Sequence, residues 1–271
     1  MKDHRMISFL LSAWRAGLRS RSIQAVLVLG VLLVGVAFLS AAFSPRQPKT
    51  VALDVGLSGV RFSLVLFALF WVQELVGQEI QRRTVLFALT YPVPRGHYIV
   101  GRYLAVLGLL ALAAVMLGML LWVVVLNAGG QYEQAFGVAP GARYWLTILG
   151  LWIDAAVVTA FALFVASLST VSMLPLALGL AFAAAGKSLG AVTEYLARGA
   201  DGGGEVMRLA PVVDAIHWFL PDLSRLDWRA WPMYGVAPDS TAIAGGALVA
   251  LAYIVLLVTL AVLAFNRREF Q

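Results

Sequence analysis

The chain has 271 residues, 61% of them hydrophobic and only 13% charged, with a mean hydropathy of +0.88. A water-soluble fold of this length has too little interior to hide so much apolar surface, so lipid must solvate much of it. The formal charge is +6; since the Lys and Arg flank apolar runs, it points to anionic lipid and membrane topology and not to nucleic acid. The absence of cysteine excludes disulfides, thiolate metal sites and cysteine nucleophiles.

Before the first apolar run, Ile7, Leu10, Leu11, Trp14 and Leu18 fall on one helical face, and Ser8, Ser12, Arg15 and Arg19 on the other. This spacing predicts an N-terminal amphipathic helix lying in the membrane interface. A cleaved leader fits less well, because Ile23–Leu39 is long for such a segment and Ala41-Ala42 makes a weak cleavage site. Six apolar runs follow: Ile23–Phe43, Val60–Val76, Tyr98–Leu126, Tyr144–Leu168, Met173–Leu189 and Ile243–Phe265. A helix needs about 20 residues to cross the hydrocarbon. The runs are continuous and not alternating, which favours helices over a barrel. The expected fold is therefore an all-α polytopic membrane domain over 1–271 with six transmembrane helices. The second and fifth runs are short and need tilt, a kink or extension into their polar flanks.

Basic residues set the expected orientation. Lys2, Arg5, Arg15, Arg19 and Arg21 precede the first span. Arg82, Arg83, Arg95 and Arg102 surround the second link, and Arg267 and Arg268 follow the last span. The opposite links hold only Arg46, Lys49 and Arg143, with Arg61 at a boundary. Both termini and the loop 77–97 are expected in the cytoplasm of a bacterial inner membrane, and the loop 190–240 outside. In that outer loop, Asp201–Gly204 is a glycine-rich break. Val206, Leu209, Val212, Val213, Ile216 and Phe219 then suggest a short amphipathic helix, followed by the interfacial residues Trp218, Trp228, Trp231 and Tyr234. Short helices resting on or dipping into the outer leaflet are expected between spans five and six.

Several motifs fail on their chemistry. Gly186-Lys187-Ser188 matches the end of a phosphate-binding loop, but the first glycine is replaced by Ala181 and no strand precedes it; Lys187 is expected to snorkel. Gly56-Leu57-Ser58-Gly59 looks like the serine motif of rhomboid proteases. None of His4, His97 and His217 lies inside a predicted span to serve as base, and the motif reads as a small-residue turn opening span two. There is no His-Glu-x-x-His zinc motif. Gln73, Glu74 and Gln78 read as an interfacial collar, and Gly186-x-x-x-Gly190 as a weak signal for close helix contact. Asp154 is the carboxylate well inside a span. Charge there costs about 2.5–3.5 kcal/mol, so it must face a partner or water and is a candidate for the translocation path.

The stretch from Gly77 to Arg102 is the most informative. Charged residues Glu79, Arg82 and Arg83 open a short apolar segment, Pro92 and Pro94 stop it, and Arg95 and Arg102 precede the next span. A short cytoplasmic helix of this kind suits docking by a soluble partner. The stretch resembles the first cytoplasmic loop of type-2 ATP-binding cassette (ABC) transporter permeases, through Glu79, Thr84, Leu86, Tyr91, Pro92, Arg95, Gly101 and Arg102. Leu89–Pro92 looks closest to the permeases of multicopper-enzyme maturation, the nitrous oxide reductase type. Phe219–Asp227 and the tail Phe265–Phe270 also resemble the wider family. Arg82 and Arg83 depart from its usual small residues, and Arg102 from its usual lysine.

The resemblance implies that Glu79, Arg82, Arg83, Thr84, Leu86, Tyr91, Pro92 and Arg95 form an ATPase-coupling loop. It implies an ABC ATPase subunit as cytoplasmic partner, a second permease copy or a homologue, and surrounding lipid. ATP and Mg would be bound by the partner, with no cofactor, metal or catalytic residue in this chain, and the family mostly exports. The alternatives are a non-transporting membrane scaffold or assembly factor and, resting on Ser58 alone, an intramembrane serine protease.

Overall fold

A computed structural model describes residues 21–77, 95–129, 138, 141–169, 171, 173–197 and 220–267. The predicted N-terminal interfacial helix, most of the loop 77–97 and the predicted helix over 206–219 lie outside the described residues. The described helices are α1 (Arg21–Ala42), α2 (Pro48–Val72, continued by a π-helical turn over Gln73–Gly77), α3 (Arg95–Asn127), α4 (Ala142–Leu168), α5 (Leu174–Ala197), the five-residue α6 (Ala230–Tyr234) and α7 (Ser240–Arg267). A 3₁₀ turn, Leu223–Leu226, precedes α6. Six helices, α1 to α5 and α7, are long and apolar enough to cross a membrane. The protein is an all-α polytopic membrane protein, as its apolar runs predict.

Two span boundaries differ from expectation. The second helix begins at Pro48 and not at Val60. Lys49, Asp54, Ser58 and Arg61 break the apolar run, yet Pro48 has a ring that fixes φ for a first helical turn. Ala52, Leu53, Gly56, Leu57, Gly59 and Val60 then give the segment a buried face. Gly56–Gly59 is thus helix, and not the turn its small residues suggest. The fifth helix runs on to Ala197 past Leu189. Both short runs reach spanning length by recruiting their polar flanks. At the far end of α2, Gln73 is 6% exposed and Glu74 is half-buried; Gln78 lies outside the described residues.

The bundle is layered around α2 and α4. In their most apolar stretches 61% of α2 and 72% of α4 is buried, against 28% for α1 and 22% for α7. The fourth helix packs on α2, α3, α5 and α7, while α1 covers α2 and α3. Its inward side is made of small residues: Ala155, Ala160 and Ala162 are fully buried and let neighbouring backbones approach. Side chains on α3 and α4 also reach across to carbonyls of the other helix. Tyr103 Oη donates to Ala156 at 3.2 Å, Tyr144 Oη to Gly118 at 2.5 Å and Trp152 Nε1 to Leu107 at 3.2 Å. Where water is scarce, such bonds satisfy polar groups that would otherwise be costly. The outer helices present apolar side chains outward, among them Leu32, Leu248 and Leu251, as a lipid-facing surface requires.

Candidate functional site

The segment 220–239 closes one end of the bundle as a cap, and glycines make the room for it. A Cβ on Gly150 of α4 would collide with the Leu226 carbonyl, one on Gly186 of α5 with Leu223, and one on Gly190 with Ser224. The Gly186-x-x-x-Gly190 stripe therefore receives the cap, and not a second spanning helix. Leu223, Leu226, Trp228 and Met233 are the cap's own buried side chains. Trp228 is a core residue of the cap and not the interfacial anchor its type suggests; its Nε1 donates to the Arg225 carbonyl at 2.9 Å. The Thr147 hydroxyl of α4 donates to the Trp228 carbonyl at 3.2 Å. Gly235, with φ of 71°, turns the chain out of α6, a conformation glycine adopts without strain.

The cap threads charge into the bundle. Lys187 of α5 pairs with Asp227, so it does not snorkel outward. Arg229 Nε lies 2.9 Å from both Asp227 carboxylate oxygens. Its Nη1 donates to Asp54 at 2.9 Å and to the Ser58 hydroxyl at 2.8 Å. Asp54 and Ser58 stand one turn apart on α2, and the next turn of the same face brings Arg61. Arg61 Nε donates to Asp154 at 2.5 Å, and Arg61 Nη2 to the Ala183 carbonyl of α5 at 3.4 Å. Burial pushes the Asp227 carboxyl up, but the hydrogen bonds and positive charges of Arg229 and Lys187 outweigh it and hold it below its ordinary range.

Arg61, Lys187, Asp227, Arg229 and Ser58 line a cavity of about 640 Å³ between α2 and α5, whose other walls include Phe62, Val65 and Leu180. Asp154 stands behind Arg61, 1% exposed. Of the residues predicted from sequence, the structure thus brings Asp154 to the edge of this cavity. It adds Arg61, expected at a boundary, Lys187, expected to snorkel, and Asp227 and Arg229 of the loop 190–240. The signal for Arg61 was available: an intramembrane carboxylate requires a cation, and Arg61 lies within a spanning helix once α2 starts at Pro48. Among the described residues no histidine bonds Ser58. His97 sits exposed in the first turn of α3, near the end of α7 where Gly96 meets Val262. Ser58 is instead held by Arg229, whose Nη1 donates to its hydroxyl.

Of the proposed coupling residues, Arg95 opens α3; Glu79, Arg82, Arg83, Thr84, Leu86, Tyr91 and Pro92 lie outside the described residues. Where α3 meets the end of α7, Tyr98 stacks on Phe265, with centroids 5.6 Å apart, and the Arg102 guanidinium stands 5.4 Å from the Tyr98 ring.

No family model matches the chain. One relative is a Stutzerimonas stutzeri protein named as a probable ABC transporter permease protein, NosY, 34% identical over 108 residues. The match takes in 38% of this chain and 38% of that protein, so the chain is matched to well under half of its relative's length. Together these observations describe a six-span membrane protein partly similar to an ABC transporter permease.

Proposed function

We propose that the chain is the membrane-spanning permease subunit of an ABC transporter. The observation that carries this reading is the 34% identity over 108 residues to a protein named as such a permease. The six-helix bundle supplies the architecture a permease needs. On this reading a separate ATPase docks on the loop 77–97, where Glu79, Arg82, Arg83, Thr84, Leu86, Tyr91, Pro92 and Arg95 form its coupling surface. Two copies, or one copy and a homologue, enclose the path in a bacterial inner membrane, with both termini in the cytoplasm. ATP and Mg are bound by the partner; this chain performs no covalent chemistry. Closure of two ATPase subunits is passed to the helices as a rigid-body switch, and the direction is export. The charges around Asp154 stand beside the path.

A P-loop ATPase encoded in a neighbouring reading frame is expected on this reading, and co-expression of the chain with that ATPase is the test. The two are expected to co-purify. Reversing Arg82 and Arg83 to Glu and replacing Tyr91–Arg95 by a Gly/Ser stretch is expected to reduce the recovered ATPase at least tenfold, on the order of 1.4 kcal/mol of lost affinity. Unchanged recovery in that variant removes the docking assignment.

A further inference from the structure

The cavity between α2 and α5 has a chemical sign. Both oxygens of Asp227 are engaged by Lys187 and Arg229; the Asp154 oxygen not bonded to Arg61 is an acceptor without a partner, but it is buried behind Arg61 and Asp154 is not among the residues lining the cavity. The donors are not exhausted. Lys187 uses one ammonium proton on Asp227, of three it carries. Among the described residues Arg61 Nη1 has no partner, and Nη2 has only the long contact to Ala183. Arg229 Nη2 likewise has none among them. Ala183 and Lys187 are one turn apart on α5, so the bond from Arg61 to the Ala183 carbonyl sets the guanidinium within about a turn of the ammonium. Among the charged groups lining the cavity, the spare hydrogen-bonding capacity is thus on cationic donors, suited to an oxyanion. The rest of the wall is apolar, with Phe62, Val65 and Leu180, and Phe62 and Leu180 are 47% and 41% exposed. A volume of about 640 Å³ falls within the range of small-molecule sites.

We propose that this cavity binds an anionic amphiphile, its phosphate- or carboxylate-type head on Arg61, Lys187 and Arg229 and its aliphatic chain along Phe62, Val65 and Leu180. The inference does not depend on the chain being a permease. The site lies within one chain, and binding is measurable without ATPase or nucleotide.

The probe is radiolabelled dodecyl phosphate, titrated into the full chain in phosphatidylcholine nanodiscs with protein-free discs subtracted. Saturable binding of one molecule per chain is expected. Lys187→Gln leaves Asp227 to Arg229, and Arg61→Gln with Asp154→Asn removes both members of a pair without orphaning either charge. Each is expected to weaken binding about tenfold, as loss of a charge-assisted hydrogen bond implies. Leu180→Trp, at an exposed wall position, fills the cavity while sparing the core and is expected to weaken binding as much. Equal affinity for dodecyltrimethylammonium overturns the proposal, as does unchanged affinity in all three variants. Intact affinity in Leu180→Trp alone overturns the placement. Displacement by inorganic phosphate at matched concentration overturns the amphiphilic part, since the apolar wall would then contribute nothing. Displacement by dioleoyl phosphatidic acid upholds the proposal and assigns the ligand to the bilayer. Failure of that lipid to displace the probe upholds it with a single-chain ligand.

Discussion

Replacing Arg61 by Ala is expected to destabilise the protein by about 3–5 kcal/mol, because it leaves the Asp154 charge buried and unpaired, and Asp154→Ala by less, because Arg61 lines the cavity. Asp154 is 1% exposed and receives Arg61 Nε at 2.5 Å. Desolvating both charges costs more than an exposed pair regains, so the pair joins α2 to α4 firmly only while both members are present. The double variant Arg61→Met, Asp154→Leu keeps volume and removes both charges, and is expected to recover most of the loss. Unfolding titrations of the four proteins in one detergent complete a cycle. Additive single losses would mean that the two charges are not coupled and that Asp154 is compensated elsewhere.

The cap is the second place where a small change should have a large effect. The cap backbone lies directly against Gly150, and a side chain there meets the Leu226 carbonyl, a group that cannot rotate away; the Trp228 ring follows at 3.2 Å. Gly150→Leu is expected to cost about 1–3 kcal/mol of local packing and to raise the fraction of time the cap is open on the order of tenfold or more. The chain has no cysteine, so Met233→Cys, at a position 3% exposed, supplies a single reporter for a maleimide. Slow labelling in the parent and fast labelling beside Gly150→Leu are expected. Equal rates would show that the cap does not rest on this glycine.

The six spans were legible because a helix in lipid must be apolar over a fixed length, and that length constrains a sequence strongly. Where polar residues were recruited into a span, legibility failed. The start of α2 was read at Val60 because Lys49, Asp54 and Ser58 interrupt the apolar run before it, although Asp54 and Ser58 find their partner in Arg229 of the cap. Asp154 announced itself by its cost, but its partner was hidden by the misplaced boundary. The pairing of Lys187 with Asp227 was beyond sequence reasoning, since nothing local indicates that a segment forty residues on folds back between α4 and α5. Trp228 misled for a related reason. Amphipathic aromatics favour interfaces, and here the cap itself satisfies the indole N–H. Glycine spacing was informative at Gly186 and Gly190, but it marks a close approach without naming what approaches.

The charge network gives the permease reading a concrete place where conformational change would register. Asp227 and Arg229 tie the cap to α5 and α2, and Arg61 ties α2 to α4. A rigid-body movement of α2 against α5 would have to break or exchange those pairs.

The most direct test of the account is crosslinking from the loop 77–97. A single cysteine placed at Thr84, in a chain that has no other, carries a photoactivatable crosslinker in membrane vesicles that also contain the co-expressed candidate ATPase. The account predicts a crosslink to that ATPase whose yield changes when ATP is added, and protection of the cysteine from a membrane-impermeant thiol reagent applied to intact spheroplasts. A cysteine that this reagent modifies from outside, or a loop that never crosslinks to an ATPase under any nucleotide condition, would contradict it.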